Sequence, residues 1–225
     1  MVTRPMDTWA DLVDGRLGEF AFLRVDIVDH SRITAENAYE AVQHILEQFE
    51  NMVEEKVIAH GGQLWTWGGD GGLASYYEGA NITAKALGAM STAFDIVEAL
   101  VPFNEEYKLP RTQDKIAARV AVHVGTARYR EKVGRIHSEA INFVSHLEHN
   151  RTFPNSISTS HEALIQVWTD FGDRFNPSGT FENHRVYSSD KEKRGASALA
   201  VDDKKIKEGF GAGLRFAKGL KDKLS

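Results

Sequence analysis

Two aspartates in this chain have surroundings that favour a chemical role, and the first is Asp70. It lies in the stretch Gly-Gly-Asp-Gly-Gly at residues 68–72, between two short runs of apolar and aromatic residues. Asp-Gly between such runs predicts a β-hairpin, and the flanking glycines permit positive φ angles and leave space for a ligand beside the carboxylate. For an isolated motif, an aspartate that only supports the turn is the simpler interpretation.

Asp26 is the second aspartate, and it lies near the end of an apolar, β-branched run at residues 20–28 that predicts a buried strand. A carboxylate in such a strand is costly unless it is bound to a metal ion or paired with an arginine or lysine. If the hairpin lies beside this strand, Asp26 and Asp70 converge and can bind two divalent metal ions across a triphosphate. Such a site would suit phosphoryl or nucleotidyl transfer.

Two groups of polar residues are candidates for binding the phosphates. The first group follows the predicted strand, where backbone amides can form an anion-binding turn, and consists of Asp29, His30 and Ser31. The second group places three cations within four residues and consists of Lys191, Lys193 and Arg194. A solvated turn is the simpler interpretation of this second group.

The elements that position these residues follow from hydrophobic periodicity. Apolar residues spaced by threes and fours predict helices over residues 35–58 and 81–101, with Pro102 ending the second. A Val-rich strand at residues 115–125 follows. With the first strand and the hairpin, the order becomes β-α-β-β-α-β, which predicts a ferredoxin-like unit of the α+β class.

A third predicted helix covers residues 138–148, with Ser138 as its N-cap. Its apolar residues give it a buried face, and Asn142 and His146 share a neighbouring polar face. A solvated polar face is the simpler interpretation of that pattern. Strands at residues 180–188 and 196–201 are expected to close the domain.

Length and composition define the class of protein. The 225 residues, 42% of them hydrophobic, can form one core, which we assign to residues 20–201 between a lead-in at 1–19 and a basic tail at 202–225. The net charge of -5 argues against a nucleic-acid-binding surface. Zero cysteines exclude disulfides and thiolate chemistry, and we expect a cytoplasmic protein without a transmembrane segment.

Taken together, four pieces of sequence resemble the catalytic domain of the class III nucleotidyl cyclases over about residues 18–201. The pieces are Phe-Leu-Arg-Val-Asp-Ile-Val at 22–28, Gly-Asp at 69–70, Val-Ala-Val-His-Val-Gly at 120–125 and Ala-Ile-Asn-Phe-Val-Ser at 140–145. The resemblance implies a head-to-tail homodimer with two active sites across its interface. It implies that Asp26, the Ile27 carbonyl and Asp70 bind two Mg²⁺ or Mn²⁺ ions, and that Asn142 orients the ribose bound by the other subunit.

The chain departs from the purine cyclases at three positions. Thr66 stands where a lysine precedes the Gly-Asp glycine by three residues, and Arg135 stands where aspartate or threonine precedes the helix asparagine by seven. The residues that would read a purine are therefore absent. His146 replaces the arginine that stabilises the transition state, and it is our remaining candidate for that catalytic position.

The segment Trp-Thr-Trp-Gly-Gly-Asp at 65–70, in a short stand-alone domain, resembles the pyrimidine cyclases of bacterial Pycsar antiphage systems. This resemblance implies synthesis of cyclic UMP or cyclic CMP as an alarm signal for a separate effector protein. UTP is favoured over CTP, because Arg135 offers only hydrogen-bond donors. These donors can bind a carbonyl of uracil but would face the amino group of cytosine, which is also a donor, while Thr66 can accept from the imide N–H of uracil. Trp65 or Trp67 would disfavour a purine if either reached the pocket, although core packing is the alternative. Guanine remains a competitor.

Other interpretations of the same residues lead to different functions. A catalytically degenerate, cyclase-like dimer would sense a nucleotide without turnover, and a purine cyclase would make the corresponding cyclic nucleotide. Retention of both aspartates argues against degeneration, because two unneutralised carboxylates in one pocket repel each other. A diguanylate cyclase ranks lower, because Gly71 and Gly72 replace the Glu-Phe of its GGDEF signature.

Overall fold

A computed structural model describes residues 9–109, 115–129 and 138–189 of the chain. Its strands are β1 (Leu17–Ile27), β2 (Gly62–Gly68), β3 (Gly71–Tyr76), β4 (Ala118–Arg128), β5 (Ser156–Ser160), β6 (Asn176–Phe181) and β7 (His184–Ser188). Its α-helices are α1 (His30–Glu36), α2 (Tyr39–Ala59), α3 (Ile82–Glu106), α4 (Glu139–Arg151), α5 (His161–Leu164) and α6 (Trp168–Phe171). Short 3₁₀ turns lie at Trp9–Asp11, Ile165–Val167 and Gly172–Arg174.

The strands of the described residues form one mixed sheet in the order β2-β3-β1-β4-β5-β7-β6. β1 is central and pairs antiparallel with both β3 and β4. The elements from β1 to β4 make the predicted β-α-β-β-α-β unit, so the ferredoxin-like α+β class is confirmed. β5 then joins β4 in parallel, and the β6–β7 hairpin extends the sheet beyond it.

Alternation along β1 divides the core between the two faces of the sheet. On one face α2 and α3 cover the side chains of Ala21, Leu23, Val25 and Ile27. On the other face α4 and the Trp9 turn cover Phe20 and Phe22. The even-numbered Asp26 therefore lies on the face covered by α4, where the sheet carries fewer helices.

The structure corrects two helix boundaries. The helix predicted over residues 35–58 is two helices, separated where Asn37 takes an extended conformation and its amide donates to the Ile33 carbonyl over 3.0 Å. α3 continues through Pro102 to Glu106. Pro102 lies on the exposed side of α3, so the carbonyl that loses its amide partner can be hydrated.

The predicted strand at residues 180–188 is instead part of the β6–β7 hairpin. Glu182 and Asn183 both have positive φ angles, 45° and 66°, which reverse the chain between the two strands. The other predicted closing strand, at residues 196–201, lies outside the described residues. The lead-in and tail boundaries remain predictions.

Helix α3 is the one helix in the described ranges whose length and apolar composition would allow it to cross a membrane. Half of that apolar stretch is buried in the structure. Ala89, Met90 and Ile96 are fully buried in the core that α3 shares with the sheet. Its hydrophobicity is accounted for by this packing.

A buried histidine stands between the sheet and α4. His123 is 4% exposed, and its Nδ1 lies 2.8 Å from Ser160 Oγ. Its ring packs against Phe143 of α4 and against His184 of β7. Burial, followed by repulsion from His184, lowers the pKa of His123 to about 4.

We expect this histidine to make the fold acid-sensitive. The pKa of His123 rises from about 4 to its ordinary value of 6.5 on unfolding, so the unfolded chain binds the extra proton more readily. The stabilisation is complete above pH 6.5 and is lost as the pH falls towards 4, by up to about 3 kcal/mol. Urea denaturation at several pH values should show a smaller loss in His123→Asn than in the wild type. Identical pH profiles would contradict this assignment.

Candidate active site

The β2–β3 hairpin brings Asp70 to the end of the strand that carries Asp26. β3 pairs with β1 so that Gly71 lies opposite Asp26, and the Ile27 amide donates to the Asp70 carbonyl over 2.9 Å. Asp70 occupies the turn between the two hairpin strands, as predicted. The two aspartates therefore lie at one corner of the sheet.

Gly71 is the residue that permits this close approach. A Cβ atom at this position would collide with the Val25 carbonyl oxygen and would lie 2.9 Å from Asp26 Oδ1. Gly69, on the other side of Asp70, has a φ of 64°, which favours glycine. The glycine-rich motif is thus explained by backbone packing around the two carboxylates.

Asp26 is paired with an arginine that the sequence did not identify. Arg119 lies directly opposite it on β4, and the Arg119 Nη2 atom donates to Asp26 Oδ2 over 2.5 Å. The Nε atom of the same guanidinium donates to Glu148 Oε1 of α4 over 2.7 Å. The ion-pair alternative for Asp26 is therefore realised, through one arginine shared by two carboxylates.

Glu148 is the most buried member of this group, with 4% of its side chain exposed. Burial and then the charge of Asp26 raise the pKa of Glu148 to about 7, while Arg119 and Arg24 act in the opposite direction. The sequence offered only one signal for the group, which is an arginine within the Val-rich run of β4. The spacing of residues along α4 gave no indication that Glu148 would contact this arginine.

Asp70 also has a basic neighbour. His30 Nδ1 of α1 lies 3.4 Å from Asp70 Oδ2, and His30 Nε2 lies 3.2 Å from Thr34 Oγ1. Asp26 and Asp70 therefore each have their own basic partner. Arg119 offsets the charge of Asp26 without a metal ion, so the retention of both aspartates is a weaker argument against a degenerate cyclase than the sequence indicated.

The two aspartates suit divalent ions that arrive with a phosphate ligand. The described residues contain no group of three or more His, Cys, Asp or Glu side chains arranged to hold a metal ion. Mg²⁺ commonly uses one or two protein carboxylates and completes its shell with phosphate oxygens and water. Asp26, Asp70 and the Ile27 carbonyl are oxygen donors of the required kind, and the basic partners show that this corner accommodates positive charge.

The predicted phosphate-binding residues are only partly described. Asp29 has a left-handed φ of 56° and precedes α1, whose first two residues are His30 and Ser31. Asp29 and Ser31 are exposed and flank His30, which lies against Asp70. Their phosphate role remains a prediction, and the second predicted group, residues 191–194, lies outside the described residues.

A β-bulge places Thr66 on the same face of the sheet as Asp26. Leu64 lies opposite Ala74 and Thr66 opposite Leu73, so Trp65 is an extra residue in β2. Leu73 in turn lies opposite Arg24, two residues before Asp26 on β1. Thr66 is exposed there and can meet a ligand, while its predicted partner, Arg135, lies outside the described residues.

Both tryptophans of β2 pack in the core. Trp65 is 8% exposed and lies against Phe20 and Phe22, with ring centroids 5.5 and 5.7 Å away. Trp67 points to the opposite face, where its ring lies 6.0 Å from that of Phe49 on α2. Packing therefore accounts for both side chains, and Trp67 lies on the wrong face to narrow a pocket beside Asp26.

Asn142 and His146 are exposed on the outer side of α4, whereas Asp26 lies beneath this helix. Ser138 caps the helix by accepting a hydrogen bond from the Ala140 amide, as predicted. His146 Nδ1 lies 2.8 Å from Glu182 Oε1 in the β6–β7 turn. A single chain thus brings the two aspartates together but leaves Asn142 and His146 facing outwards.

Comparison with known proteins identifies the fold. No protein-family model and no curated protein sequence matches the chain. The adenylyl cyclase CyaB from P. aeruginosa is similar in structure, with a TM-score of 0.68 and 15% identity over 81% of this chain and 98% of that chain. The chain has the fold of the class III nucleotidyl cyclase catalytic domains.

Two further solved structures agree with this result. The guanylate cyclase domain of RhGC from Catenaria anguillulae, solved in complex with GTP, has a TM-score of 0.62. It is 15% identical over 77% of this chain and 97% of that chain. An adenylate/guanylate cyclase/hydrolase from Silicibacter pomeroyi has a TM-score of 0.62 and 20% identity over 77% of this chain and 96% of that chain.

Proposed function

We propose that the protein is a metal-dependent nucleotidyl cyclase. The observation that carries this proposal is the placement of Asp26 and Asp70 at one corner of a cyclase-type sheet. The similar structures are described as adenylyl and guanylate cyclases, and one of them binds GTP. These descriptions support a nucleoside triphosphate as the substrate.

In this proposal the residues of the chain position the nucleotide for an intramolecular reaction. Asp26, Asp70 and the Ile27 carbonyl would hold two Mg²⁺ or Mn²⁺ ions, which would supply Lewis-acid stabilisation of the triphosphate. The ribose 3′-oxygen would attack the α-phosphorus and give up its proton to water, while the bond from the α-phosphorus to the bridging oxygen breaks and pyrophosphate leaves from the opposite side. His30 lies 3.4 Å from Asp70, and we propose that Asp29, His30 and Ser31 contact the phosphates.

The active form in this proposal is a homodimer with shared sites. The outward orientation of Asn142 and His146 supports it, because neither side chain faces the aspartate pair of its own chain. In a head-to-tail dimer, these residues would complete the site of the other subunit. Asn142 would then orient the ribose, and His146 would offset charge on the α-phosphate.

We further propose that the base is a pyrimidine, with UTP favoured over CTP. Thr66, on the aspartate face of β2, offers both a donor and an acceptor, and Arg135 would add donors for a carbonyl group. The product would be a cyclic nucleotide made in the cytoplasm as an antiphage signal and read by a separate effector. Lys191, Lys193 and Arg194 remain candidates for binding the triphosphate.

A nucleotide sensor without turnover is the second candidate function. It is favoured by the ion pair of Asp26 with Arg119, because this pair stabilises the Asp26 carboxylate without a metal ion. Incubation of the full chain with each NTP and Mn²⁺ separates the two functions. Metal-dependent release of pyrophosphate together with a cyclic nucleotide supports the cyclase, whereas nucleotide binding without pyrophosphate supports the sensor.

Base selectivity is expected to depend on Arg135. Equimolar UTP, CTP, GTP and ATP in competition should give mainly cyclic UMP, and Arg135→Ala should reduce the preference by about 10- to 150-fold, the effect of losing a buried hydrogen bond. Arg128→Ala is the control, because the Arg128 side chain donates to the exposed Gly15 carbonyl instead. Mainly cyclic CMP would refute the uracil preference, and a dominant cyclic purine would refute the pyrimidine assignment.

A further inference from the structure

The guanidinium of Arg119 joins two carboxylates from different elements. It donates from Nη2 to Asp26 on β1 and from Nε to Glu148 on α4. The exposed fractions of the three side chains are 20% for Arg119, 13% for Asp26 and 4% for Glu148. Because the donors of a guanidinium diverge in a fixed plane, one arginine can bind both carboxylates at once.

A divalent metal ion at Asp26 would compete with this arrangement. Arg119 contacts Oδ2 of Asp26, so a metal ion that binds this oxygen, alone or together with Oδ1, would meet the guanidinium, and two cations at one oxygen repel each other. Once the metal ion takes Oδ2, Arg119 would leave Asp26 while its side chain remains largely buried. A buried guanidinium without an acceptor is strongly destabilising, so the exchange needs a second carboxylate.

Glu148 already meets this requirement. Its Oε1 accepts from Nε of Arg119, an atom that takes no part in the contact with Asp26. The Glu148 contact can therefore persist when the Asp26 contact is broken. Glu148 is also anchored by the packing of α4, whose neighbouring residue Leu147 is fully buried.

We propose that Glu148 is a positioning residue that retains Arg119 when a divalent metal ion displaces this arginine from Asp26. Glu148 thereby lowers the cost of exchanging an arginine for a metal ion at Asp26. The inference rests on the proposed metal-binding role of Asp26 and extends it to a residue on another helix. In this role Glu148 contacts neither the metal ion nor the nucleotide.

The test is binding of Mn²⁺ to the full chain at mildly alkaline pH with a fixed concentration of inorganic triphosphate, measured as the loss of the EPR signal of free Mn²⁺ beyond the loss that triphosphate alone causes. Glu148→Gln keeps the size and an acceptor oxygen but removes the charge. In this variant Asp26 is the remaining charged partner of Arg119, so the Arg119–Asp26 ion pair becomes stronger. Mn²⁺ must break this stronger ion pair to bind Asp26. We expect affinity for Mn²⁺ to fall about tenfold, the effect of one charge-assisted hydrogen bond.

Removing the arginine tests the same competition from the other side. Arg119→Met should tighten Mn²⁺ binding, and in that background Glu148→Gln should have no further effect. A tenfold loss of Mn²⁺ affinity from Glu148→Gln in both backgrounds would show that the negative charge of Glu148 attracts the metal ion directly. That result would overturn the proposal. Weaker Mn²⁺ binding by Arg119→Met would also overturn it, even if Glu148→Gln failed to fold.

Two controls separate this inference from the metal site itself. Glu139→Gln makes the same charge change at an exposed position of α4 and should leave the Mn²⁺ affinity close to that of the wild type. Asp26→Asn should abolish the binding. If Mn²⁺ binding does not depend on Asp26, both the metal site and the inference fail. If it depends on Asp26 but not on Glu148, only the inference fails.

Discussion

Replacing Asp70 with asparagine is expected to reduce cyclic nucleotide formation by at least about a hundredfold without unfolding the protein. The variant keeps the shape of the side chain but removes the charge that would hold the metal ions. Asp70 lies in a hairpin turn with 36% of its side chain exposed, so its neutralisation should cost little stability. Product formation with Mn²⁺ and a thermal melt followed by circular dichroism measure the two effects.

Asp95→Asn is the matched control for this prediction. Asp95 is also an aspartate paired with a histidine, because His60 Nε2 lies 2.9 Å from Asp95 Oδ2. This pair joins the end of α2 to α3, and its loss should leave the cyclase rate close to that of the wild type. An Asp70→Asn protein that is folded and turns over at nearly the wild-type rate would show that Asp70 is not a metal ligand.

Mixing two inactive variants is expected to restore about a quarter of the wild-type activity. One chain carries Asp70→Asn and the other Asn142→Ala, each inactive by itself. Random assembly makes half of the dimers heterodimers, and each heterodimer has one site with an intact Asp70 and an intact Asn142. Activity should be measured after unfolding and refolding the mixture, with the heterodimer fraction determined by native mass spectrometry.

A second mixture distinguishes shared sites from simple stabilisation by a partner. Asp26→Asn and Asp70→Asn affect ligands that belong to the same chain in every site, so their heterodimers contain no intact metal pair. This mixture should remain inactive. Full heterodimer formation without recovery in the Asp70→Asn and Asn142→Ala mixture would argue against sites shared between subunits.

Local sequence determined the elements of this protein. Alternation in β1 and helical spacing in α2, α3 and α4 each come from residues close together in the chain, so they can be read without a structure. The glycines around Asp70 indicated a hairpin for the same reason. Two predicted boundaries were wrong. Pro102 does not end α3, which accommodates it on its exposed side, and the strand predicted at residues 180–188 is interrupted by the positive-φ turn of Glu182 and Asn183.

The environment of the aspartates was decided by tertiary structure. Strand register placed Arg119 opposite Asp26, and the packing of α4 on the sheet brought in Glu148 from a distant part of the sequence. A bulge of one residue decided that Thr66 shares the face of Asp26, because without it the alternation of β2 would turn this side chain to the other face. Local patterns therefore identified the candidate catalytic residues and the elements that carry them. Their partners and faces depended on register and packing, which are set by contacts between segments far apart in the chain.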